Sequence, residues 1–129
     1  MTKKPRLLVI DNEIDVCNFI KSFFEIRGFD VVPAFNGDEA MKILEMVNPD
    51  LVILDVRMRS EDEGLTYLPQ IKKAMPGVRV IMITGIDDKE TIEQCKKLGA
   101  DDYITKPLAL EYLESTVMGK VQYLSQLKH

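Results

Sequence analysis

The sequence has no tryptophan, one histidine and only two cysteines among 129 residues. The histidine is His129, the last residue, so we expect neither histidine-based catalysis nor a histidine metal site. Cys17 and Cys95 lack the C-x-x-C spacing of redox and zinc motifs, which favours reduced thiols that act as small packing residues. Any chemistry is therefore expected from other side chains.

Long hydrophobic runs and an excess of positive charge are also missing. No apolar run approaches the roughly 20 residues that span a bilayer, and the four-residue run before Asp11 is too short for a signal-peptide core. The net charge of −4 gives no electrostatic reason to expect direct nucleic-acid or membrane binding. Length and a hydrophobic content of 46% fit one globular domain over residues 1–129, which we expect to be cytoplasmic.

Five short apolar runs rich in β-branched residues are present, and they predict strands. The predicted strands cover 7–10, 29–34, 51–54, 78–84 and 102–105. Three of the runs are continuous rather than alternating, which is typical of strands that are covered on both faces of a parallel sheet.

Helical patterns lie between these runs and after the last one. The first predicted helix covers 13–27, with Val16, Phe19, Ile20 and Phe23 facing the core and Gly28 as its stop. The others run from the Asn36–Glu39 capping box to Val47, over 65–75, from Asp87 (with Glu90) to Gly99, and along the stripe Leu113, Val117, Val121 and Leu124. This alternation predicts an α/β fold whose parallel sheet carries helices on both faces.

Polar side chains stand at the ends of the predicted strands. Asp11, Asp55, Thr84 and Lys106 follow or end four of them, and ligands of open parallel sheets bind at that edge. Two neighbouring carboxylates repel each other, so a cation is expected beside them. Lys106 supplies one positive charge, and an all-oxygen ligand set suits Mg²⁺. Such a cluster is suited to a phosphoryl group, and a carboxylate can be its covalent acceptor.

Four segments in order, "LLVIDNE", "PDLVILD", "VIMITG" and "GADDYITKP", resemble the receiver domains of response regulators, the phosphoacceptor half of two-component signalling. The resemblance covers nearly the whole chain. It implies a three-layer, flavodoxin-like (βα)5 fold with a five-stranded parallel sheet in the order 2-1-3-4-5. It also implies a single receiver domain over residues 1–129, without an output domain in these residues.

The resemblance implies a phosphorylation site and a metal site. Asp55 corresponds to the phosphorylated aspartate, and Asp11, Asn12, Asp55 and the backbone carbonyl of Arg57 would hold Mg²⁺. The family usually has a second acid where this chain has Asn12. Because an amide oxygen is neutral, we predict weaker Mg²⁺ binding, with the carboxylate of Glu13 as a substitute ligand.

A second set of residues corresponds to the switch of the family. Thr84 corresponds to the hydroxyl residue that moves to the phosphoryl group, and Lys106 to the lysine that pairs with it. Tyr103 corresponds to the aromatic residue that turns inward when Thr84 moves. The bond between Lys106 and Pro107 is typically cis in the family.

The segment after the third strand departs from the usual pattern. Met58-Arg59 stands where the family usually has Met-Pro, and Gly64 comes one residue later than usual. We expect residues 60–63 to form a solvated loop. Pro69 leaves two hypotheses for the third helix: a late start with Pro69 in the first turn, or a kink at Pro69.

The favoured function is a signalling switch that accepts a phosphoryl group on Asp55 from a sensor histidine kinase or phosphotransfer protein. The domain would catalyse its own transfer and slow autodephosphorylation without acting as an enzyme on other substrates. Output would pass through the face of helix 4, strand 5 and helix 5 to a partner or output domain, with a phosphorylation-dependent homodimer as a further expectation.

Three alternatives belong to other functional classes. A non-phosphorylated interaction module of the same fold is favoured by Asn12 alone. An aspartate-nucleophile phosphohydrolase usually has a second aspartate two residues after the first, where this chain has Arg57. A flavin-binding protein is disfavoured because tryptophan and a Ser/Thr/Gly-rich loop after the first strand are missing.

Overall fold

The computed structural model describes residues 4–60, 62–84 and 89–105. Strands and helices alternate through these residues. The strands are β1 (Arg6–Ile10), β2 (Asp30–Ala34), β3 (Leu51–Asp55), β4 (Arg79–Thr84) and β5 (Asp102–Thr105). The helices are α1 (Ile14–Ile26), α2 (Gly37–Val47), α3 (Glu63–Ala74) and α4 (Lys89–Lys97).

The five strands form one parallel sheet in the order β2-β1-β3-β4-β5. This confirms the predicted fold class and strand order, and every predicted strand is right to within one residue at each end. The order places β1, β3 and β4 side by side at the centre of the sheet. Their carboxyl ends therefore meet at the middle of one edge.

Alternate residues of the strands form a buried layer on each face of the sheet. One layer packs against α1 and contains Leu7, Val9, Ile53, Ile81, Cys17, Ile20 and Phe24. The other packs against α2, α3 and α4 and contains Leu8, Ile10, Val52, Met82, Leu44, Leu68, Ile71 and Cys95. Because both faces are covered, the central strands need apolar residues at every position, and this explains their continuous hydrophobic runs.

The predicted apolar stripe of α1 is partly wrong. Phe19 is 39% exposed, while Cys17, Ile20, Phe23 and Phe24 are the buried residues of the helix. The sheet therefore contacts a stripe that includes Cys17 and Phe24 and excludes Phe19. The hydrophobic pattern had predicted Phe19 as a core residue of this helix. The predicted stop is confirmed: Gly28 has φ +91°, a conformation that glycine adopts without strain.

The predicted ends of α2 are confirmed by hydrogen bonds. The side-chain oxygen of Asn36 accepts a hydrogen bond from the backbone N–H of Glu39 at 2.8 Å. At the other end Asn48 adopts a left-handed conformation with φ 49°, directly before Pro49. Local side-chain chemistry therefore sets both ends of this helix.

The third helix begins two residues earlier than predicted. Glu63 is its first residue and Pro69 lies in its interior, so the hypothesis that Pro69 belongs to the first turn is wrong. The backbone N–H of Gly64 donates to the carbonyl of Val56 at 2.8 Å, which ties the first turn to the end of β3. A long-range contact thus sets the start of this helix.

Several predicted features lie outside the described residues. They include the start of α4 at Asp87, the final helix, Lys106 and the bond to Pro107. Among the helices that the structure describes, none has the length and apolar character that crossing a membrane requires.

Candidate functional site

Three of the predicted site residues stand together at the carboxyl edge of the sheet. Asp11 directly follows β1, Asp55 ends β3 and Thr84 ends β4. Ile10 lies opposite Leu54 in the sheet, so the next residues on the two strands, Asp11 and Asp55, leave the sheet side by side. The three residues are 0%, 1% and 2% exposed, so both aspartates are buried at the ends of neighbouring strands.

The two carboxylates make the same kind of local hydrogen bond. Oδ1 of Asp11 accepts a hydrogen bond from the backbone N–H of Glu13 at 2.9 Å, and Oδ1 of Asp55 accepts one from Arg57 at 3.2 Å. Each is a turn in which an aspartate bonds the backbone two residues on. The backbone after each strand therefore orients the carboxylate.

A contribution that the sequence did not reveal comes from Cys17. Its thiol donates a hydrogen bond to the backbone carbonyl of Asp11 at 3.3 Å. Cys17 is fully buried in α1, and Cys95 is 1% exposed in α4, so both side chains are packing residues as predicted. Burial raises the pKa of the Cys95 thiol above its ordinary value.

Asn12, Glu13 and Arg57 are exposed residues that follow the two acids in the chain by one or two positions. Glu13 is the N-cap residue of α1, and its side chain makes no capping hydrogen bond. Within the described residues no three His, Cys, Asp or Glu side chains form a group that could hold a metal. Glu13 therefore does not join Asp11 and Asp55 as a third acid in this conformation, and its role as a substitute ligand stays a prediction.

The donor set at this edge fits a hard cation. Asp11 and Asp55 bring two carboxylates to adjacent strand ends, and Asn12 and the backbone of Arg57 add neutral oxygens nearby in the chain. Mg²⁺ is commonly held by one or two carboxylates and keeps several waters. A cation also offsets the repulsion between two buried carboxylates. The residues present therefore fit Mg²⁺.

The predicted switch residues Thr84 and Tyr103 share one face of the sheet. Tyr103 lies opposite Met82 on the neighbouring strand, and Thr84 comes two residues after Met82. Side chains two positions apart on a strand point to the same face, so Tyr103 is the diagonal neighbour of Thr84. Tyr103 is half-buried and packs against the core layer beneath α2, α3 and α4. Lys106 directly follows the end of β5, just beyond the described residues.

The segment between β3 and α3 contains an ion-pair network that sequence reasoning missed. The guanidinium of Arg59 contacts Oε1 of Glu63 through Nε at 2.7 Å and through a terminal nitrogen at 2.6 Å. The same guanidinium lies 3.5 Å from Oδ2 of Asp38 on α2, and the hydroxyl of Tyr67 donates to Asp38. The prediction of a solvated loop is wrong for Glu63, whose side chain is 10% exposed and pairs with Arg59.

The network shifts the titration of its members. The hydrogen bond from Tyr67, aided by Arg59, holds the pKa of the Asp38 carboxyl below its ordinary value. The same hydrogen bond to Asp38 raises the pKa of Tyr67, and the hydrogen bond to Glu63 raises the pKa of Arg59. All three shifts favour the charge states that keep the network assembled at neutral pH.

Comparison with known proteins agrees with this fold. The family model described as "Response regulator receiver domain" matches residues 7–118. The chain is 28% identical to a two-component response regulator from Clostridium difficile, with a TM-score of 0.83 over 92% of this chain and 97% of that one. It is 30% identical to the receiver domain of the Francisella response regulator 1452, with a TM-score of 0.83 over 97% and 99% of the two chains.

Curated relatives are similar over nearly the whole chain but are themselves longer. The chain is 37% identical to the probable C4-dicarboxylate response regulator DctR of Bacillus subtilis, over 98% of this chain and 56% of that protein. It is 31% identical to the regulatory protein AtoC of Escherichia coli, over 99% of this chain and 28% of that protein. The chain thus spans about half or less of the length of these relatives.

Proposed function

We propose the function from one premise, that the chain belongs to the family of response regulator receiver domains. We infer a phosphorylation-dependent signalling switch with Asp55 as the phosphoacceptor. One observation supports this most directly: Asp55 is the last residue of a buried central strand, directly beside Asp11 at the carboxyl edge of the sheet. A phosphoryl acceptor must be held in line with its donor, and a central strand provides that rigidity.

The inferred reaction is transfer from phosphohistidine to a carboxylate. An oxygen of Asp55 attacks the phosphorus, the phosphorus–nitrogen bond of the donor breaks, and an acyl phosphate forms as the imidazole leaves. Later attack by water returns the carboxylate and releases inorganic phosphate. The donor is a sensor histidine kinase or phosphotransfer protein, and the domain catalyses both steps on itself only.

A divalent metal is part of the proposal. Asp11, Asp55, Asn12 and the carbonyl of Arg57 would hold Mg²⁺, which neutralises charge on the transferring phosphoryl oxygens when bound. Asp11 and Asp55 supply the charged ligands, and the turn at Arg57 holds the carboxylate of Asp55 in place.

The proposed switch transmits the state of Asp55 along the sheet edge. The hydroxyl of Thr84 would bind the phosphoryl group together with Lys106, which precedes the proposed cis bond to Pro107. Thr84 and Tyr103 are diagonal neighbours on one face, so a shift of Thr84 changes the space available to the Tyr103 ring. Output would then pass through α4, β5 and the predicted fifth helix to a partner, an output domain or a second copy of the chain.

The proposal treats residues 1–129 as one cytoplasmic receiver domain. The alternative, an interaction module that is never phosphorylated, is supported by Asn12 alone, because the amide replaces one of the charged metal ligands usual in the family. Both functions use the same fold, so phosphorylation itself separates them.

The decisive experiment is intact mass spectrometry after incubation with acetyl phosphate and Mg²⁺. We expect the wild type to gain one phosphoryl group, and Asp55→Asn to gain none. Omission of Mg²⁺ should abolish the gain. An unmodified wild type at saturating Mg²⁺ would favour the interaction module, whereas phosphorylation of Asp55→Asn would place the acceptor elsewhere.

A further inference from the structure

The chain leaves the sheet after β3 and is tied back to it at the start of α3. The N–H of Val56 donates to Ile83 on β4 at 2.9 Å, and the carbonyl of Val56 accepts the N–H of Gly64 at 2.8 Å. Residues 57–60, which we call the loop, follow the first of these anchors directly after Asp55. Arg57, the proposed carbonyl ligand, is the first residue of that loop beyond Val56.

Three side chains fasten this loop from outside, and with Arg59 they form what we call the Arg59 clasp. Glu63 binds the guanidinium of Arg59 and also accepts the backbone N–H of Arg59 at 3.4 Å. Asp38 extends the contact to α2, and Tyr67 of α3 donates to Asp38. The clasp thus joins the loop, the first turn of α2 and the first two turns of α3.

We propose that Arg59 is a positioning residue for the metal and phosphoryl site. It acts through the backbone of the loop, with no contact of its own to the reacting groups. This inference rests on the proposed function at Asp55. Arg59 is two residues beyond Arg57, so restraint of its backbone and side chain limits the orientations open to the carbonyl of Arg57.

The chemistry of the loop explains why such a device is needed here. Arg59 is an ordinary residue whose backbone dihedrals are not fixed by a ring, as those of proline are. The clasp restrains it instead through a planar guanidinium held by a largely buried carboxylate. Groups that orient metal ligands commonly change metal affinity by about 10- to 100-fold when they are removed.

A half-exposed ion pair contributes little to global stability, so the effect of Arg59 should be local. The chain provides a matched control in Arg79, which pairs with Asp101 at 3.4 Å at the opposite end of the sheet and is 41% exposed against 54% for Arg59. Arg79→Ala removes an ion pair of similar exposure without touching the loop.

The experiment compares Arg59→Ala, Arg59→Lys, Glu63→Gln and Arg79→Ala by amide hydrogen exchange and by NMR titration with Mg²⁺ alone. We expect Arg59→Ala to speed hydrogen exchange at the Gly64 amide and to weaken Mg²⁺ binding about threefold to tenfold. This is at or below the low end for such groups, because the guanidinium is half-exposed. Arg59→Lys should recover part of the loss, because lysine keeps the charge but not the planar fork. Arg79→Ala should change neither the exchange rate of the Gly64 amide nor the Mg²⁺ affinity.

Glu63→Gln provides an internal check, because Arg59 and Glu63 should act as one unit. The double variant Arg59→Ala/Glu63→Gln is expected to lose less free energy of Mg²⁺ binding than the sum of the losses in the two single variants. Additive losses would contradict the clasp. Unchanged Mg²⁺ affinity in Arg59→Ala, or equal losses in Arg79→Ala, would overturn the positioning role.

Neither the amide hydrogen exchange nor the Mg²⁺ titration depends on phosphorylation, so the inference and the proposed function can fail separately. A wild type that binds Mg²⁺ but never gains a phosphoryl group would disprove the switch. The clasp would still be tested by the Mg²⁺ affinities of the Arg59 and Glu63 variants. A wild type that gains the group, with Arg59→Ala identical to it in exchange and in Mg²⁺ affinity, would disprove the clasp alone.

Discussion

The two ends of the sheet treat their carboxylates in opposite ways. At the amino end, Asp101 contacts Lys72 at 2.7 Å and Arg79 at 3.4 Å and accepts the N–H of Val80 at 2.8 Å. At the carboxyl end, Asp11 and Asp55 stand side by side, each bonded to a backbone N–H two residues on. The amino end brings an acid and two basic side chains together, whereas the carboxyl end places two acids on neighbouring strands.

The difference shows what each end contributes. The pairing of Asp101 joins α3, β4 and the residue before β5, and it offsets the cost of placing a carboxylate in a partly buried position. The acidic pair has an electrostatic cost that a bound cation reduces, so its arrangement favours a ligand over the empty protein. The ion pairs of the amino end therefore stabilise the fold, and the acids of the carboxyl end form the proposed binding site.

The largest expected effect comes from Gly64, where a methyl group would overlap the carbonyl oxygen of Asp55 and lie 2.7 Å from Cα of Val56. We expect Gly64→Ala to lower the free energy of unfolding by about 3 kcal/mol, because rigid backbone atoms must shift. Chemical denaturation measures this. Gly77→Ala is the control, because no atom lies within 4 Å of its added methyl group. Equal losses in both variants would contradict the close approach of α3 to β3.

Neutralisation of one acid at each end tests the comparison directly. Asp101→Asn should lower the free energy of unfolding by about 1.5 kcal/mol, since charge-assisted hydrogen bonds are weakened. Asp55→Asn should raise it by up to about 1 kcal/mol in metal-free buffer, because repulsion from Asp11 is removed. Denaturation of both variants with and without Mg²⁺ measures these changes. If Asp55→Asn lowers the free energy of unfolding as much as Asp101→Asn does, the carboxylates at the two ends of the sheet contribute to stability in the same way.

A substitution at Asn12 tests the proposed metal site. We expect Asn12→Asp to bind Mg²⁺ about tenfold more tightly, equivalent to roughly 1.4 kcal/mol, because a charged ligand replaces a neutral one. The metal-free variant should be less stable, because a third acid joins the edge. NMR titration of the wild type, Asn12→Asp and Glu13→Gln measures the affinities. If the first two agree and Glu13→Gln binds poorly, Glu13 already supplies the missing charge.

The smallest expected effect concerns alkaline pH and Tyr67. Its pKa is raised above the ordinary 10.0 in the folded protein, so the protonated hydroxyl favours folding. This stabilisation is complete below pH 10.0 and is lost as pH rises through the folded pKa. We therefore expect the stability of the wild type to fall more steeply above pH 10 than that of Tyr67→Phe. Parallel curves in thermal melts would show that the bond to Asp38 contributes nothing.

The sequence was sufficient for features that depend on neighbouring residues or on a regular period. The five continuous or β-branched runs identified the strands, and the Asn36–Glu39 pair identified the start of α2. Asp11 and Asp55 were found because each ends an apolar run, and parallel strands bring such ends to one edge.

The order of elements, the apolar interior of the sheet and the acids at its carboxyl edge follow from local residue patterns and chain order, so they could be predicted. The residues of α1 that face the sheet, the start of α3 and the contacts that hold the loop after Asp55 depend on how distant segments pack. Phe19 is exposed because the face of α1 that packs on the sheet contains Cys17, Ile20 and Phe24 instead. Arg59 reaches Asp38, 21 residues away in the chain, because α2 and α3 pack on the same face of the sheet. Such contacts depend on packing between distant segments, which no local pattern of residues encodes.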